Sequence, residues 1–311
     1  ALKEAGSQTA IIGKWHLGHG DRKFWPRQRG FDFQYGPLIG EIDYFTHEQH
    51  KVLDWYLNNK PLKEKGYSTT LLGNAAVRLI DTHDQAKPLY LYLTFNAPHT
   101  PFHNPPTNLH SYGASPATNL LKYRAAVESM DTEIGRLLAA LNPATTTVIF
   151  IGDNGTPGQV IQAPYTSTKA KDTLYEGGVR VPLIVRGPGV VNPGRTSSAM
   201  VHAVDLFSTQ LELAGVSVPA ALTLDAQSLV PVLTNQSEGS RTRLFTDQFD
   251  QSDATVGGRA IRDDRYNLIR LNTGSDLFFD LQTDPAEATN LLTGGIGSMS
   301  LTMQARYYRL R

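Results

Sequence analysis

The feature that most constrains this chain is an alternation of short apolar runs with amphipathic stretches. Thr9-Ala-Ile-Ile12, Leu89-Tyr-Leu-Tyr-Leu-Thr-Phe95, Thr145-Thr-Thr-Val-Ile-Phe-Ile151 and Val181-Pro-Leu-Ile-Val185 are β-branched, aromatic or apolar almost throughout, the composition of strands. Between them, apolar residues recur at helical spacing over 69–83 (Leu71, Leu72, Ala75, Ala76, Leu79, Ile80) and 119–141 (Val127, Met130, Ile134, Leu137, Leu138, Leu141), and a third helix is expected at 204–214, closed by Gly215. Strands alternating with helices predict an α/β layered domain with a central mixed sheet. Residues 1–6 read as the tail of an amphipathic helix stopped by Gly6 at a C′ position, so the chain is expected to begin partway through an element. Residues 19–70, rich in Gly, Pro and aromatics with no sustained period, read as long ordered loops. From about 240 the texture changes: Leu244–Thr246, Arg259–Arg262, Tyr266–Arg270 and Leu277–Leu281 are short alternating segments between turn residues. They predict a small antiparallel sheet, hence a larger α/β domain over 1–235 and a C-terminal α+β subdomain over 236–311.

Composition narrows the function classes. Lys+Arg and Asp+Glu are both 29, giving a net charge of zero, whereas nucleic-acid binders carry a basic surplus to neutralise phosphates. A hydrophobic content of 40% with 19% charged residues excludes a disordered chain, and apolar runs of about seven residues fall far short of the roughly 20 needed to span a bilayer. There is no cysteine, which excludes disulfides, thiolate metal sites and a cysteine nucleophile among these residues. No signal peptide is read at the first residues.

In open α/β sheets, ligands sit beyond the carboxyl ends of strands. Three such ends carry reactive side chains: Lys14 and His16, His99, and Asp153 with Asn154. In extended backbone Lys14 and His16 would share a face. Each cluster has a plain structural reading, a hydrogen-bonded histidine or an Asx turn. Together they suit one chemistry: Asp and Asn offer hard oxygens for Ca²⁺ or Mg²⁺, while histidines and lysines can hold an anion and protonate a leaving oxygen. Such a site would cleave a sulfate or phosphate ester.

Gly13-Lys-Trp-His-Leu-Gly18, Ala97-Pro-His-Thr-Pro101, Gly152-Asp-Asn-Gly155 and Tyr175-Glu-Gly-Gly-Val-Arg-Val-Pro182 occur in the order seen in type I sulfatases of the alkaline-phosphatase-like superfamily. The resemblance continues through His202-Ala-Val-Asp205-Leu206, Leu211–Gly215 and Asp280-Leu-Gln-Thr-Asp-Pro-Ala-Glu287, and so covers nearly the whole chain. Arg29–Asp32, Gly40–Glu48, Tyr67–Thr69 and Pro88–Leu93 resemble the arylsulfatase B (N-acetylgalactosamine-4-sulfatase) branch.

The resemblance implies catalytic roles for Lys14, His16, His99 and Lys171, with Lys14, His99 and Lys171 contacting the sulfate and His16 steadying the covalent intermediate. It implies Asp153 and Asn154 as Ca²⁺ ligands, with Mg²⁺ the lesser alternative. Lys171 stands five residues before Glu176; Lys169 is the competing register, and Asp172 stands where the family often has Gly or a bulky residue. Glu176-Gly-Gly reads as a structural turn. His47, His50, His103 and His110 read as surface or loop residues, and the aromatics of 24–56 as loop packing, with a sugar platform the alternative. The family's nucleophile, a Cys or Ser oxidised to formylglycine in a Cys/Ser-x-Pro/Ala-x-Arg segment, and a pair of acidic Ca²⁺ ligands precede the helix leading into Gly13. Neither is found in these residues, so this chain alone is expected to be inactive, its partners being a sulfated small molecule or glycan and an N-terminal fragment of the same protein. By family the setting is periplasmic, extracellular or lysosomal. The alternatives are a phosphonate or phosphodiester hydrolase of the same superfamily and a non-catalytic sulfated-glycan-binding relative.

Overall fold

A computed structural model describes residues 1–311, which divide into two compact units, Ala1–Asn142 and Pro143–Arg311. The change of sequence texture near 235 therefore falls inside the second unit.

In the first unit, β1 (Gln8–Gly13) is buried on both faces, which is why it reads as a continuous apolar run. Ala10 and Ile12 pack with Tyr35, Trp55, Leu72 and Ala76, while Ile11 packs on the other side with Trp15, Trp25 and Leu38. The strand pairs in parallel with β2 (Phe33–Gly36) and with β7 (Leu89–Thr94). The small strands β3 (Glu48–Gln49) and β4 (Val52–Leu53) make a separate hairpin. β5 (Tyr56–Leu57) and β6 (Lys60–Pro61) extend the main sheet, in the order β6-β5-β2-β1-β7, by antiparallel pairing. The loops expected over 19–70 thus contain sheet strands as well as ordered turns. Residues 1–7 close as a Schellman turn: Gly6 is left-handed (φ +92°), its N–H donates to Lys3 O at 3.0 Å, and Ser7 N–H donates to Leu2 O at 3.1 Å.

α1 (Ser68–Thr82) buries Leu72, Gly73, Ala76, Leu79 and Ile80. α2 (Asn119–Ala140) is capped by Thr118, which accepts from Leu121 N–H. Its most buried line is Ala125, Ala126, Ser129 and Glu133, whereas the expected Val127 is 37% exposed. Close approach contributes: a Cβ on Gly73 of α1 would fall 2.3 Å from Glu133 Oε2, while Met130 and Leu137, as expected, pack against buried clusters.

In the second unit, β8 (Val148–Ile151) pairs antiparallel with β9 (Leu183–Arg186) as a two-stranded sheet. α3 (Glu176–Val179), α4 (Asp205–Leu213) and α5 (Val230–Leu233) surround this region in sequence. The C-terminal sheet is an antiparallel meander of β10 (Leu244–Phe249), β11 (Gly257–Arg262), β12 (Tyr266–Leu271) and β13 (Asp276–Asp280). Alternation sorts its side chains: Tyr266, Leu268 and Phe278 pack under α6 (Leu301–Leu310), whereas Ile269 and Phe279 face Leu174. No helix is long and apolar enough to cross a membrane.

Candidate functional site

Parallel pairing of β1 and β7, with Gly13 opposite Thr94, puts their carboxyl ends side by side. Lys14, His16 and His99 therefore leave the same edge of one sheet. Lys14 N–H donates to Thr94 O at 2.8 Å, and Thr94 Oγ1 donates to Lys14 O at 2.7 Å. Gly13 is required here: its φ is +113°, and a Cβ would fall 1.8 Å from Thr94 O. Lys14 is half-buried and His16 exposed. His16 has φ +54°, so the extended backbone that would put Lys14 and His16 on one face is interrupted at His16.

His99 follows β7 in the Asn96–Pro101 turn, half-buried. Tyr44, itself buried, donates its hydroxyl to His99 O at 2.8 Å, and His99 N–H donates to Asn96 O at 2.9 Å. His99 Nδ1 lies 3.0 Å from Thr100 O. Thr100 Oγ1 lies 3.3 Å from the same nitrogen; in the tautomer that donates Nδ1–H to the carbonyl, Nε2 is the ring nitrogen left for a substrate.

The second unit carries Asp153, Asn154 and Lys171. Asp153 is exposed and Asn154 half-buried in the turn after β8. Gly155 N–H donates to Gly178 O at 2.8 Å, and Lys171 N–H donates to Thr156 O at 3.0 Å, so the Asp153–Asn154 turn and the Lys171 segment run together. Lys169 is committed elsewhere: its ammonium donates to Glu287 O and lies 5.2 Å from the Tyr175 ring centroid and 5.6 Å from that of Phe279. Asp172 is exposed with φ +67°, a left-handed slot that suits Gly and that Asp tolerates.

Several motif residues are structural. Glu176, 2% exposed, receives Arg262 Nη1 at 2.8 Å on both oxygens. Asp205, 1% exposed, accepts from His202 N–H and is bound by Arg241. Glu287 is wholly buried; its Oε1 accepts from Asn267 Nδ2 and its Oε2 from Glu176 N–H, each at 2.6 Å. Burial pushes its carboxyl up to about 7. His47, read as a surface or loop residue, lies in a loop but is fully buried, stacked on Trp55 at 4.4 Å, and burial lowers its pKa. Most aromatics of 24–56 pack inward, as Trp25, Tyr35, Tyr44 and Trp55 do, while Phe24 and Phe45 remain exposed. Arg180, Arg262, Arg265 and Arg306 line a polar cleft, each with a carboxylate within 3.6 Å.

The metal expectation meets an incomplete donor set. Asp153 and Asn154 are hard-oxygen donors of the right kind, but no group of three or more His, Cys, Asp or Glu side chains is arranged to hold an ion. Two residues fall short of the six to eight oxygens Ca²⁺ takes. Sequence reasoning missed Asp54 and Tyr44, whose partners are backbone groups of the site loops; nothing in their spacing announces them.

The model of the family described as "Sulfatase" matches residues 1–216, and that described as "N-sulphoglucosamine sulphohydrolase, C-terminal" matches 169–306. The chain is 30% identical over 253 residues to arylsulfatase J of Mus musculus, covering 78% of this chain and 42% of the relative. It is 32% identical over 258 residues to N-acetylgalactosamine-6-sulfatase of Canis lupus familiaris, covering 75% of this chain and 47% of the relative. Among solved structures, Ps i-CgsB in complex with k-i-k-neocarrahexaose superposes with a TM-score of 0.80 at 26% identity, covering 99% of this chain and 72% of the other. The chain thus spans about half the length of these curated relatives, and it has the alkaline-phosphatase-like fold of its structural neighbours. With residues 1–216 of its 311 inside the family model, the chain belongs to the sulfatase family.

Proposed function

We propose that the protein hydrolyses sulfate esters, with Lys14, His99 and Lys171 holding the sulfate and His16 beside the reacting centre. The observation that supports this reading is the parallel pairing of β1 and β7, which sets side by side the strand ends after which Lys14, His16 and His99 follow, in a sulfatase-family chain. A sulfate monoester carries one negative charge. Ammonium groups from Lys14 and Lys171 neutralise it and draw electron density from sulfur as the ester bond stretches. The leaving alkoxide needs a proton. In this reading His99 supplies one from Nε2, its Nδ1 facing Thr100 O. Lys171 is preferred to Lys169 because the latter's ammonium is bound to Glu287 O between two rings.

The attacking group, a formylglycine in the family, has no cysteine precursor among these residues. This reading assigns it, with the missing acidic Ca²⁺ ligands, to a segment outside 1–311. The substrate class favoured is a sulfated sugar, since the similar N-acetylgalactosamine-6-sulfatase is named for one and Ps i-CgsB was solved with an oligosaccharide. Kinship with the arylsulfatase B branch, and an exported or lysosomal setting, belong to the same proposal.

The test is steady-state hydrolysis of an aryl sulfate by the protein carrying that segment. His99→Ala and Lys171→Ala are each expected to lower kcat/KM by more than tenfold; unchanged kinetics in both would sink the assignment. Preferential turnover of an aryl phosphodiester would move the protein to the phosphodiesterases of the superfamily, and binding of sulfated oligosaccharide without turnover would make it a glycan-binding relative.

A further inference from the structure

Lys14 and His16 follow β1 in irregular backbone, and the neighbouring segment 37–40 holds them. Trp15 N–H donates to Pro37 O at 3.1 Å, and His16 N–H donates to Leu38 O at 2.8 Å. Gly40 is the wall against which the Lys14 stem lies: its φ is +93°, and a Cβ there would fall 2.3 Å from Lys14 Cγ and 2.6 Å from Cδ. The segment is in turn organised by one carboxylate. Asp54, 5% exposed, accepts from Leu38 N–H at 2.9 Å on Oδ1, and from Ile39 N–H at 2.8 Å and Gly40 N–H at 3.1 Å on Oδ2. Three successive amides turned toward one anion form a nest. Asp54 is rigidly mounted, since its own N–H donates to His47 O at 2.9 Å and the next residue, Trp55, is wholly buried.

We propose that Asp54 is a positioning residue for Lys14 and His16, acting through residues 38–40. This rests on the reading that those two side chains face the sulfate. A carboxylate gathering three amides would stabilise a loop anywhere. Here the carbonyls of that loop hold Trp15 and His16, and its glycine abuts Lys14, so the setting of the nest fixes the setting of the pair. Replacing Asp54 with Asn turns one oxygen into an NH₂ group facing N–H donors, which leaves at least one amide without an acceptor. Loss of the third amide contact at Gly40 would let the wall move by a fraction of an ångström, enough to misplace an ammonium that must meet a sulfate oxygen.

The experiment is a mutant cycle in the complete enzyme, reading kcat/KM for an aryl sulfate and the inhibition constant of inorganic sulfate. Asp54→Asn is expected to lower kcat/KM by tenfold or more and to weaken sulfate inhibition similarly. In a Lys14→Ala/His16→Ala background it should change either by less than twofold. Equal factors in both backgrounds would mean Asp54 only stabilises the fold, and the positioning role would be overturned. If Asp54→Asn does not fold, Gly40→Ala probes the same contact from the other side, with the same loss expected in the wild type and a clearly smaller one in the Lys14→Ala background, where only the Cβ contact and the strain of φ +93° remain. Should Lys14→Ala itself change neither constant, the sulfate-site reading fails first; should Lys14→Ala be damaging and folded Asp54→Asn be silent, only the positioning role fails.

Discussion

Two lysines two residues apart are given different roles here, and what Lys169 touches sets its own. Lys169 donates to a backbone carbonyl of Glu287 and lies over Tyr175 and Phe279. A charged hydrogen bond contributes about 1.5–3 kcal/mol and each cation–π contact about 0.5–2 kcal/mol. Lys169→Met keeps the aliphatic stem and removes both, so it should lower the unfolding free energy by about 2 kcal/mol, read from urea denaturation. Lys171→Met should cost less stability than that and should weaken inhibition by inorganic sulfate in the complete enzyme. If the two variants exchanged these phenotypes, Lys169 would be the sulfate lysine. Gly13 makes a sharper demand. With φ at +113° and Thr94 O 1.8 Å from where a Cβ would lie, Gly13→Ala must break the β1–β7 register at the site. A loss of more than about 3 kcal/mol is expected from strain and clash together, and a variant as stable as the wild type would mean that this strand end is not built as described.

At the scale of elements, the C-terminal Asp-Pro-x-Glu segment and the Glu-Gly-Gly helix start are joined by one buried carboxyl. Desolvation of Glu287 outweighs the hydrogen bonds from Asn267 and Glu176 N–H, and holds its pKa at about 7 against an ordinary 4.5. Between those pH values the folded chain keeps a proton that the unfolded chain has released. The stabilisation is complete below pH 4.5, is lost as pH rises toward 7, and changes no further above it. A shift of this size corresponds to about 3 kcal/mol. Glu287→Gln, with Asn267 free to turn its amide and present an oxygen, should flatten that limb in urea midpoints taken at pH 5 and pH 8. An unchanged slope would show that Glu287 titrates normally.

The same two elements show what could be read beforehand. Asp280–Glu287 and Glu176-Gly-Gly are visible as motifs, but their contact spans 111 residues and leaves no periodic trace. Helices over 68–82, 119–140 and 205–213 match their periodicity within two residues. The expected face of α2 holds at Met130 and Leu137, which pack, and fails at Val127, which is exposed. β2 went unread because Phe33-Gln-Tyr-Gly36 pairs with β1 only across the chain. Lys14, His16, His99, Asp153 and Asn154 were proposed from strand ends and motifs, and Lys171 from the family resemblance alone. Asp54 was not, since its partners are three backbone amides.

Within residues 1–311, 29 basic and 29 acidic residues cancel, so these residues add no net field that would draw an anionic substrate from a distance. Their part in recognition then comes from local groups, and salt should weaken it only by screening the proposed Lys14, His99 and Lys171 contacts. The ion poses the stricter test. Asp153 and Asn154 supply one carboxylate and one amide, Asp153 is exposed, and no other acidic or histidine side chain completes a group of three. Sites that hold Ca²⁺ at roughly millimolar strength already use several oxygen ligands. Residues 1–311 alone should therefore bind Ca²⁺ with a Kd of roughly 1 mM or weaker by calorimetry. Stabilisation follows RT ln(1 + [Ca²⁺]/Kd), so 1 mM Ca²⁺ should add no more than about 0.4 kcal/mol. Asp153→Asn should abolish even that. The complete protein, with the additional acidic ligands proposed for it, should bind far more tightly and lose that affinity in the same variant. A micromolar Kd for residues 1–311 would mean that this chain builds a metal shell by itself. Equal affinity in the Asp153→Asn variant would mean that any shell lies elsewhere.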